Sequence, residues 1–261
     1  MLRSLLTASS GMKAQQMQVD TIANNIANAN TTGFKKNRLS FQSLYYQTYR
    51  NQGAPLGGGA IDATGLQVGS GTEVSGSAMM MEQGQLEMTN NGFDLAIQGP
   101  GFFELQMPNG DLRYTRDGAF RRNLNGDLVT AEGAYLNPRV TLPDGITNFT
   151  VSPGGTVSYQ DQNGQNIDLT TITLARFPNP TGLRAEGGNL LSANESSGQP
   201  AALVPGENGA GAIQQGALER SNVTTVEELV SLIVAQRNYE VNSRAIQVSD
   251  EMLQTVGQII R

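Results

Sequence analysis

The sequence predicts an α+β protein: one long helix at each end of the chain, and a central β-rich domain of hairpins between them. Two observations support this fold class. Apolar residues near both ends recur at alternating spacings of three and four, which is typical of a helix with one apolar stripe. Between the ends, Gly is abundant (31 of 261 residues) and Asn-Gly pairs recur, which favours short strands joined by turns. We expect the two helices to form a coiled-coil-like terminal domain.

The composition narrows the classes of function. The chain has no Cys and no His, so it lacks a thiolate and the usual general base at neutral pH, and a metal site would need oxygen ligands alone. We expect no cofactor and no metal. The net charge of −6 argues against nucleic acid as a partner. No stretch approaches the ~20 apolar residues of a membrane span, and polar residues interrupt the apolar start of the chain. We therefore expect no membrane insertion and no cleaved signal peptide.

The first helix is predicted over residues 2–28. Asn28 and Gly33 bound the turn that stops it, since Asn competes for backbone hydrogen bonds and Gly accepts the left-handed conformation that ends helices. The basic residues at 35–38 are predicted to lie in a solvated loop. The residues proposed as the seam of this helix, where it meets other chains, are Leu5, Met12, Val19, Ile22 and Ile26.

Residues 34–78 are predicted to form an extended connecting segment. An apolar and aromatic patch at 41–49 indicates a short strand or helix. The Gly-rich run at 51–60 has little capacity to pack and is expected to be flexible. Alternation at 64–74 is typical of a strand.

A β-rich domain is predicted over residues 79–221. Its Asn-Gly pairs favour primed hairpin turns; they lie at 91–92, 109–110, 125–126, 163–164 and 208–209. The predicted strands are 94–98, 102–107, 112–116, 126–130, 140–142, 149–151, 156–159 and 171–177.

The second helix is predicted to begin after Thr224, where Thr224 and Glu227 form a capping box, and to run nearly to residue 261. Together with residues 1–33, residues 222–261 would form the helical domain. Two helices cannot bury wide apolar stripes against each other alone, so the rest must meet other chains, and a head-to-tail contact that does not close builds a filament. The predicted seam residues of this helix are Val230, Val241, Val248, Met252 and Ile259.

Catalytic candidates are few. Asp111, Asp117 and Asp127 lie near predicted turns, where Asp is common for backbone reasons, and no spacing singles out a carboxylate pair. We therefore expect that the chain is not an enzyme. An alternative of another class is a secreted carbohydrate-binding or adhesive β-protein, which would need aromatic platforms, and the chain has no Trp.

Several segments of the sequence resemble motifs of a known protein family. Residues 23–35 read Ala-Asn-Asn-Ile-Ala-Asn-x-x-Thr-x-Gly-Phe-Lys, which resembles the signature of the axial rod and hook proteins of the bacterial flagellum. Residues 94–103, 114–120 and 125–133 resemble further phrases of that family, and 226–242 resembles its C-terminal signature, with Asn238 where a small residue is common. The motif residues are Asn24, Asn25, Asn28, Thr31, Gly33, Phe34, Gln236, Arg237, Tyr239 and Asn242.

The resemblance implies a structural subunit that polymerises with itself into a hollow, rigid tube, with the helices inside and the β-rich domain outside. The length and the Gly-rich run favour the distal part of the rod; a proximal-rod or hook-type axial protein is the alternative. The implied partners are the proximal-rod proteins, the hook protein and the surrounding ring proteins. The implied location is the periplasmic rod of the basal body, reached through the flagellum's own export channel.

Overall fold

The computed structural model describes residues 2–52, 55–56, 60–61, 64–143, 146, 148–161 and 165–259. The chain divides into two contact units, which we call the helical unit (Met1–Ile26, Asn37–Ala78 and Thr224–Arg261) and the β unit (Ala27–Lys36 and Met79–Val223). Helices at the two ends and a β-rich centre confirm the α+β class. The division into three regions, with a separate segment at 34–78, stays a prediction.

Two long helices and three strand pairs make up the helical unit. The pairs are nested, β1 with β6, β2 with β5 and β3 with β4. Of the Gly-rich run at 51–60, residues 53–54 and 57–59 lie outside the described part. The elements are α1 (Leu2–Ala27), β1 (Asn37–Ser43), β2 (Tyr46–Arg50), β3 (Pro55–Leu56), β4 (Ala60–Ile61), β5 (Leu66–Gly69), β6 (Thr72–Met79) and α2 (Thr225–Ile259).

Both helix boundaries agree with the local signals. α1 ends at Ala27, and Thr31 N then donates to the carbonyl of Asn28 across 3.1 Å. Gly33 has φ +68°, and a Cβ there would lie 2.5 Å from the backbone nitrogen of Asp117, so only glycine fits. α2 begins directly after Thr224. Within the described residues, neither helix combines the length and apolar character that crossing a membrane requires.

The β unit is built around β9. One face of this strand carries Phe103 and Leu105, and the other carries Phe102, because alternate residues point to opposite sides. Phe103 packs edge-on against Phe120 with ring centroids 5.3 Å apart. Fully burying a side chain of this size stabilises the fold by about 1.5–3 kcal/mol.

Nine strands form the main sheet, in the order β11-β12-β13-β9-β10-β19-β18, with β17 pairing both β9 and β20. The other sheets are β14-β15-β16, β8-β21 and β7-β22. The strands are β7 (Leu86–Met88), β8 (Leu95–Gln98), β9 (Phe102–Gln106), β10 (Leu112–Thr115), β11 (Arg121–Arg122), β12 (Leu128–Val129), β13 (Tyr135–Asn137), β14 (Asn148–Val151), β15 (Thr156–Gln160), β16 (Asn166–Thr171), β17 (Leu174–Arg176), β18 (Arg184–Gly187), β19 (Leu190–Ser192), β20 (Ala201–Leu203), β21 (Ala212–Gln215) and β22 (Ala217–Glu219).

The predicted turn type is wrong at three Asn-Gly pairs. At 109–110 and 125–126 the glycine has positive φ but the asparagine does not. Gly110 N donates to the carbonyl of Met107, and Met107 N donates to the carbonyl of Asp111. Each turn is therefore a three-residue loop closed by a bulge, in which one left-handed glycine suffices. At 91–92 neither residue has positive φ, so no primed turn forms there, whereas at 208–209 both residues have positive φ, as a primed turn requires. Residues 163–164 lie outside the described residues.

Three predicted strands also need correction. Residues 140–142 form no strand; Thr141 makes only an isolated bridge to Asp127. Residues 171–177 are divided between the end of β16 and β17. The single strand predicted at 64–74 is two, because Gly71, with φ +120°, breaks the extended backbone between β5 and β6.

A buried ion cluster joins distant parts of the β unit. Glu219 is 1% exposed; its carboxylate accepts from the Lys35 ammonium and, across 3.0 Å, from Arg116 Nη1. Gly84 N donates to the same carboxylate across 2.9 Å, and Gly33 N donates to the Glu219 carbonyl across 2.8 Å. Desolvation lowers the pKa of Lys35, and the Glu219 charge opposes that shift. The prediction of a solvated basic loop is thus wrong for Lys35.

A second buried carboxylate, that of Asp127, links the start of β12 to the segment that follows β13. Asp127 accepts from Arg139 Nε across 3.0 Å, from Arg139 Nη2 across 2.6 Å and from Thr141 Oγ1 across 2.6 Å. These hydrogen bonds, that of Arg139 above all, hold the pKa of Asp127 far below its usual range.

We expect Glu219→Gln to lower the free energy of unfolding by about 3–5 kcal/mol, because it leaves two buried cations without their counter-charge. Urea unfolding of the full chain measures this change. Glu87→Gln is the matched control, since Glu87 pairs with Arg220 at the surface across 3.4 Å and should cost under about 1 kcal/mol. Equal effects of the two substitutions would contradict the assignment.

We expect Asp127→Asn to lower the free energy of unfolding at neutral pH by about 1–3 kcal/mol. Because folding depresses the pKa of Asp127, the carboxylate stabilises the fold above its unfolded pKa of ~3.9 and loses this effect as pH falls below that value. The difference between parent and variant should therefore shrink below about pH 4. Asp111→Asn, in the equivalent turn but with its side chain 53% exposed, is the control. A pH-independent difference for Asp127→Asn would refute this interpretation.

Candidate assembly surface

Three contacts between α1 and α2 are made by small and polar residues. Ser4 Oγ lies 3.2 Å from Ser249 Oγ, and Asn25 Nδ2 donates to Glu228 Oε2 across 3.2 Å. Between these pairs, a Cβ added to Gly11 would lie only 2.9 Å from Asn242 Nδ2. Since residue numbers rise along α1 as they fall along α2, the helices run antiparallel.

Asn25 also fixes the start of β1. Its Nδ2 donates to the carbonyl of Asn37 across 2.9 Å, and Asn37 N donates back to Asn25 Oδ1 across 3.0 Å. The side chain is buried, and an amide, with both donor and acceptor, can satisfy β1 and Glu228 together. These hydrogen bonds explain why an asparagine lies within α1 although the intrinsic helix propensity of asparagine is poor.

The predicted seam of α1 is largely covered within the chain. Ile22 is buried, whereas Leu5, Met12, Val19 and Ile26 are half-buried. Val19 lines a cavity of about 390 Å³ in the helical unit; the other lining residues are Gln16, Gln236, Tyr239 and Glu240.

The predicted seam of α2 lies in solvent. Val230 is 56% exposed, Val241 64%, Val248 48% and Met252 54%. The side chain of Ile259 lies outside the described part. Because the side chains of the other four residues are exposed, this apolar stripe of α2 is left uncovered by α1. That this stripe contacts other subunits stays a prediction.

Sequence reasoning underestimated the apolar surface at the start of α2. Over residues 226–234, five exposed apolar side chains lie at positions i, i+3, i+4, i+7 and i+8, which share one face of the helix: Val226, Leu229, Val230, Ile233 and Val234. An apolar face of this width normally packs against another element. The sequence carries this signal, because Leu229 and Ile233 lie beside Val226 and Val230 on the same face of the helix.

Exposed tyrosines form a second apolar feature of the helical unit. Tyr45 is 92% exposed, and Tyr46 and Tyr49 in β2 are also exposed. The guanidinium of Arg3 lies 5.1 Å from the centre of the Tyr49 ring. At this distance the electron-rich face of the aromatic ring attracts the cation. The aromatic patch predicted at 41–49 therefore lies at the surface.

The motif residues have distinct structural positions. Asn24 lies on α1 beside Asn25, and Asn242 contacts Gly11. Asn28, Thr31, Gly33 and Phe34 form the turn after α1, whose Thr32 hydroxyl donates to Asp117 across 2.9 Å. Arg237 is exposed, and Gln236 and Tyr239 line the cavity described above.

The candidate carboxylates of the β unit are engaged in local structure. Asp111 Oδ2 accepts from Asn109 Nδ2 across 2.8 Å, and Asp117 Oδ1 accepts from Ala119 N across 3.1 Å. Within the described residues, no group of three His, Cys, Asp or Glu side chains could hold a metal ion. The arrangement is that of a scaffold with uncovered apolar helix surface.

Three family models match the chain, and all describe flagellar axial proteins. Residues 5–35 match "Flagella basal body rod protein", 96–159 match "Flagellar hook protein FlgE/F/G D1 domain", and 214–259 match "Flagellar basal body rod FlgEFG protein C-terminal". The matches cover both helices and much of the β unit.

Curated relatives match over the full length. The flagellar basal-body rod protein FlgG of Borreliella burgdorferi is 46% identical, with 100% of both chains covered. The FlgG of Caulobacter vibrioides is 42% identical over 99% of each chain, and the hook-basal body complex protein FlhP of Bacillus subtilis is 33% identical, covering 99% of this chain and 100% of its own. The chain belongs to the family of flagellar basal-body rod proteins.

Proposed function

We propose that this protein is a structural subunit of the distal rod of the flagellar basal body, whose copies assemble through their terminal helices into a hollow, rigid helical tube. One observation carries the proposal: the exposed apolar surface of α2. Removing such surface from water contributes about 25 cal/mol per Å², and a contiguous patch of this kind on a monomer marks an interaction site.

The partner that fits this surface is a second copy of the chain. α1 and α2 meet through polar residues such as Asn25 and Glu228, so the apolar residues of α2 remain available for packing between chains. Packing of this kind between neighbouring helices would give the terminal domain its coiled-coil-like character. A contact that repeats without closing generates a helical tube.

Family membership supports the remaining parts of the proposal. The full-length relatives named as rod proteins are more similar to this chain than FlhP, named as a hook-basal body complex protein. This favours a rod subunit over a hook-type protein, and over a carbohydrate-binding or adhesive β-protein. The β unit would lie outside the tube. The rod would transmit torque mechanically and conduct exported subunits, without catalysis.

The proposed location is the periplasmic rod, which the chain reaches by flagellar export without cleavage of a signal peptide. The proposed neighbours are the proximal-rod proteins, the hook protein and the surrounding rings. They follow from the place of a distal-rod subunit between the proximal rod and the hook.

We expect Val248→Asp to prevent rod assembly while leaving the β unit folded. A carboxylate at the centre of an apolar interface costs several kcal/mol unless it is paired. The measurements are swimming motility, electron microscopy of isolated basal bodies, and urea unfolding of the purified chain. Ile22→Asp is a poorer test, because Ile22 is buried within the chain.

Gln247→Asp is the matched control for Val248→Asp. It adds the same charge one residue earlier, at an exposed polar position that faces about 100° away around the helix. Motility should persist in this variant. Normal rods with Val248→Asp, or equal loss of rods in both variants, would refute the proposed interface.

A further inference from the structure

Three contacts between α1 and α2 share one register. On α1 they lie at Ser4, Gly11 and Asn25, which are separated by 7 and 14 residues; their partners Ser249, Asn242 and Glu228 are separated by the same intervals in reverse order. A constant seven-residue interval on both helices is the repeat that keeps one face of each helix against the other.

We call each pair of facing residues in this series a layer. The same seven-residue interval predicts a fourth layer. It places Gln18 opposite Ala235, which is almost fully buried. Gln18 Oε1 is buried and has no hydrogen-bond partner among the described residues. All four layers of this series are therefore polar or small on both helices, where a helix pair selected for stability alone would carry leucine or isoleucine.

We propose that these four layers set the register of α1 against α2. Polar residues at the core positions of helix pairs lower stability but exclude alternative alignments, because a shift leaves buried donors and acceptors unpaired. Leucine-rich layers would tolerate a slide of one heptad, since one apolar pair resembles the next.

A one-heptad shift shows what the layers exclude. If α2 moved so that Asn25 faced Ala235, the Asn25 amide would lose its Glu228 acceptor. Asn242 would then face Gln18 in place of Gly11. The space at Gly11 exists because glycine has no Cβ, and no other layer of the series has a glycine. Asn242 and Gly11 thus fit each other in one alignment only.

The chain has no cysteine. Pairs of introduced cysteines therefore report the register directly, through the disulfide that they form. Ser4→Cys with Ser249→Cys joins positions whose Oγ atoms lie 3.2 Å apart. Ser4→Cys with Val256→Cys reports the one-heptad shift, because in the native register Val256 is displaced by about 10 Å along α2 and lies beyond disulfide reach. Both pairs are oxidised in the purified full-length chain under conditions where circular dichroism shows the terminal helices formed, and the intrachain products are quantified by mass spectrometry.

In the otherwise unchanged chain we expect at least about tenfold more of the Ser4–Ser249 cross-link than of the Ser4–Val256 cross-link. Adding Asn25→Leu, Glu228→Leu and Asn242→Ala should lower this ratio to about threefold or less while the helical signal is kept. The matched control, Asn24→Leu with Glu227→Leu, makes similar changes at exposed neighbouring positions and should keep the preference. A ratio near one before the layers are changed, or an unchanged ratio afterwards, overturns the proposal.

This readout is separate from assembly. The cross-links form within one chain, so they report the register whether or not rods form. Loss of rods in Val248→Asp tests the proposed function instead. The register proposal and the proposed function can therefore be refuted independently of each other.

Discussion

The β unit depends on one buried carboxylate. Glu219 neutralises Lys35 and Arg116, which come from segments that lie 184 and 103 residues away in the sequence. Its backbone carbonyl and side chain also accept hydrogen bonds from Gly33 and Gly84. A charge in this environment is tolerated only when it is paired. The segment that leaves α1 and the segment that leads to α2 are therefore held side by side within the β unit, where Asn222 Oδ1 also accepts from Lys36 N across 2.8 Å.

Polar and apolar contacts have separate tasks in the helical unit. The hydrogen bonds of Asn25 and Ser4 join α1 to α2 within the chain, whereas Val230, Val241 and Val248 remain in solvent. Directional hydrogen bonds specify one geometry but contribute only about 0.5–1.5 kcal/mol each in net stability. Apolar burial is non-directional and scales with area. A subunit that must hold one shape and then assemble benefits from this division.

Local signals predicted both helices but only seven of the sixteen strands of the β unit. Asn28 and Gly33 locate the end of α1, and Thr224 locates the start of α2, because caps act within a few residues of the chain. The type of turn at Asn109-Gly110 was missed, since the same dipeptide fits both a primed turn and the left-handed position of a bulged loop. The burial of Lys35 was missed for a different reason. Its partner Glu219 is remote in the sequence, and the residues around position 35 do not indicate that a buried acidic partner exists.

Apolar periodicity located the exposed stripe of α2 but not the face that meets α1. A heptad pattern records which residues avoid water in the assembled state, and it does not distinguish contacts within one chain from contacts between chains. In this protein the face of α2 that meets α1 carries Glu228, Asn242 and Ser249, which a search for apolar residues passes over. Polar and small residues that repeat every seven positions on both terminal helices, in opposite order, are the feature that connects the two ends of the sequence.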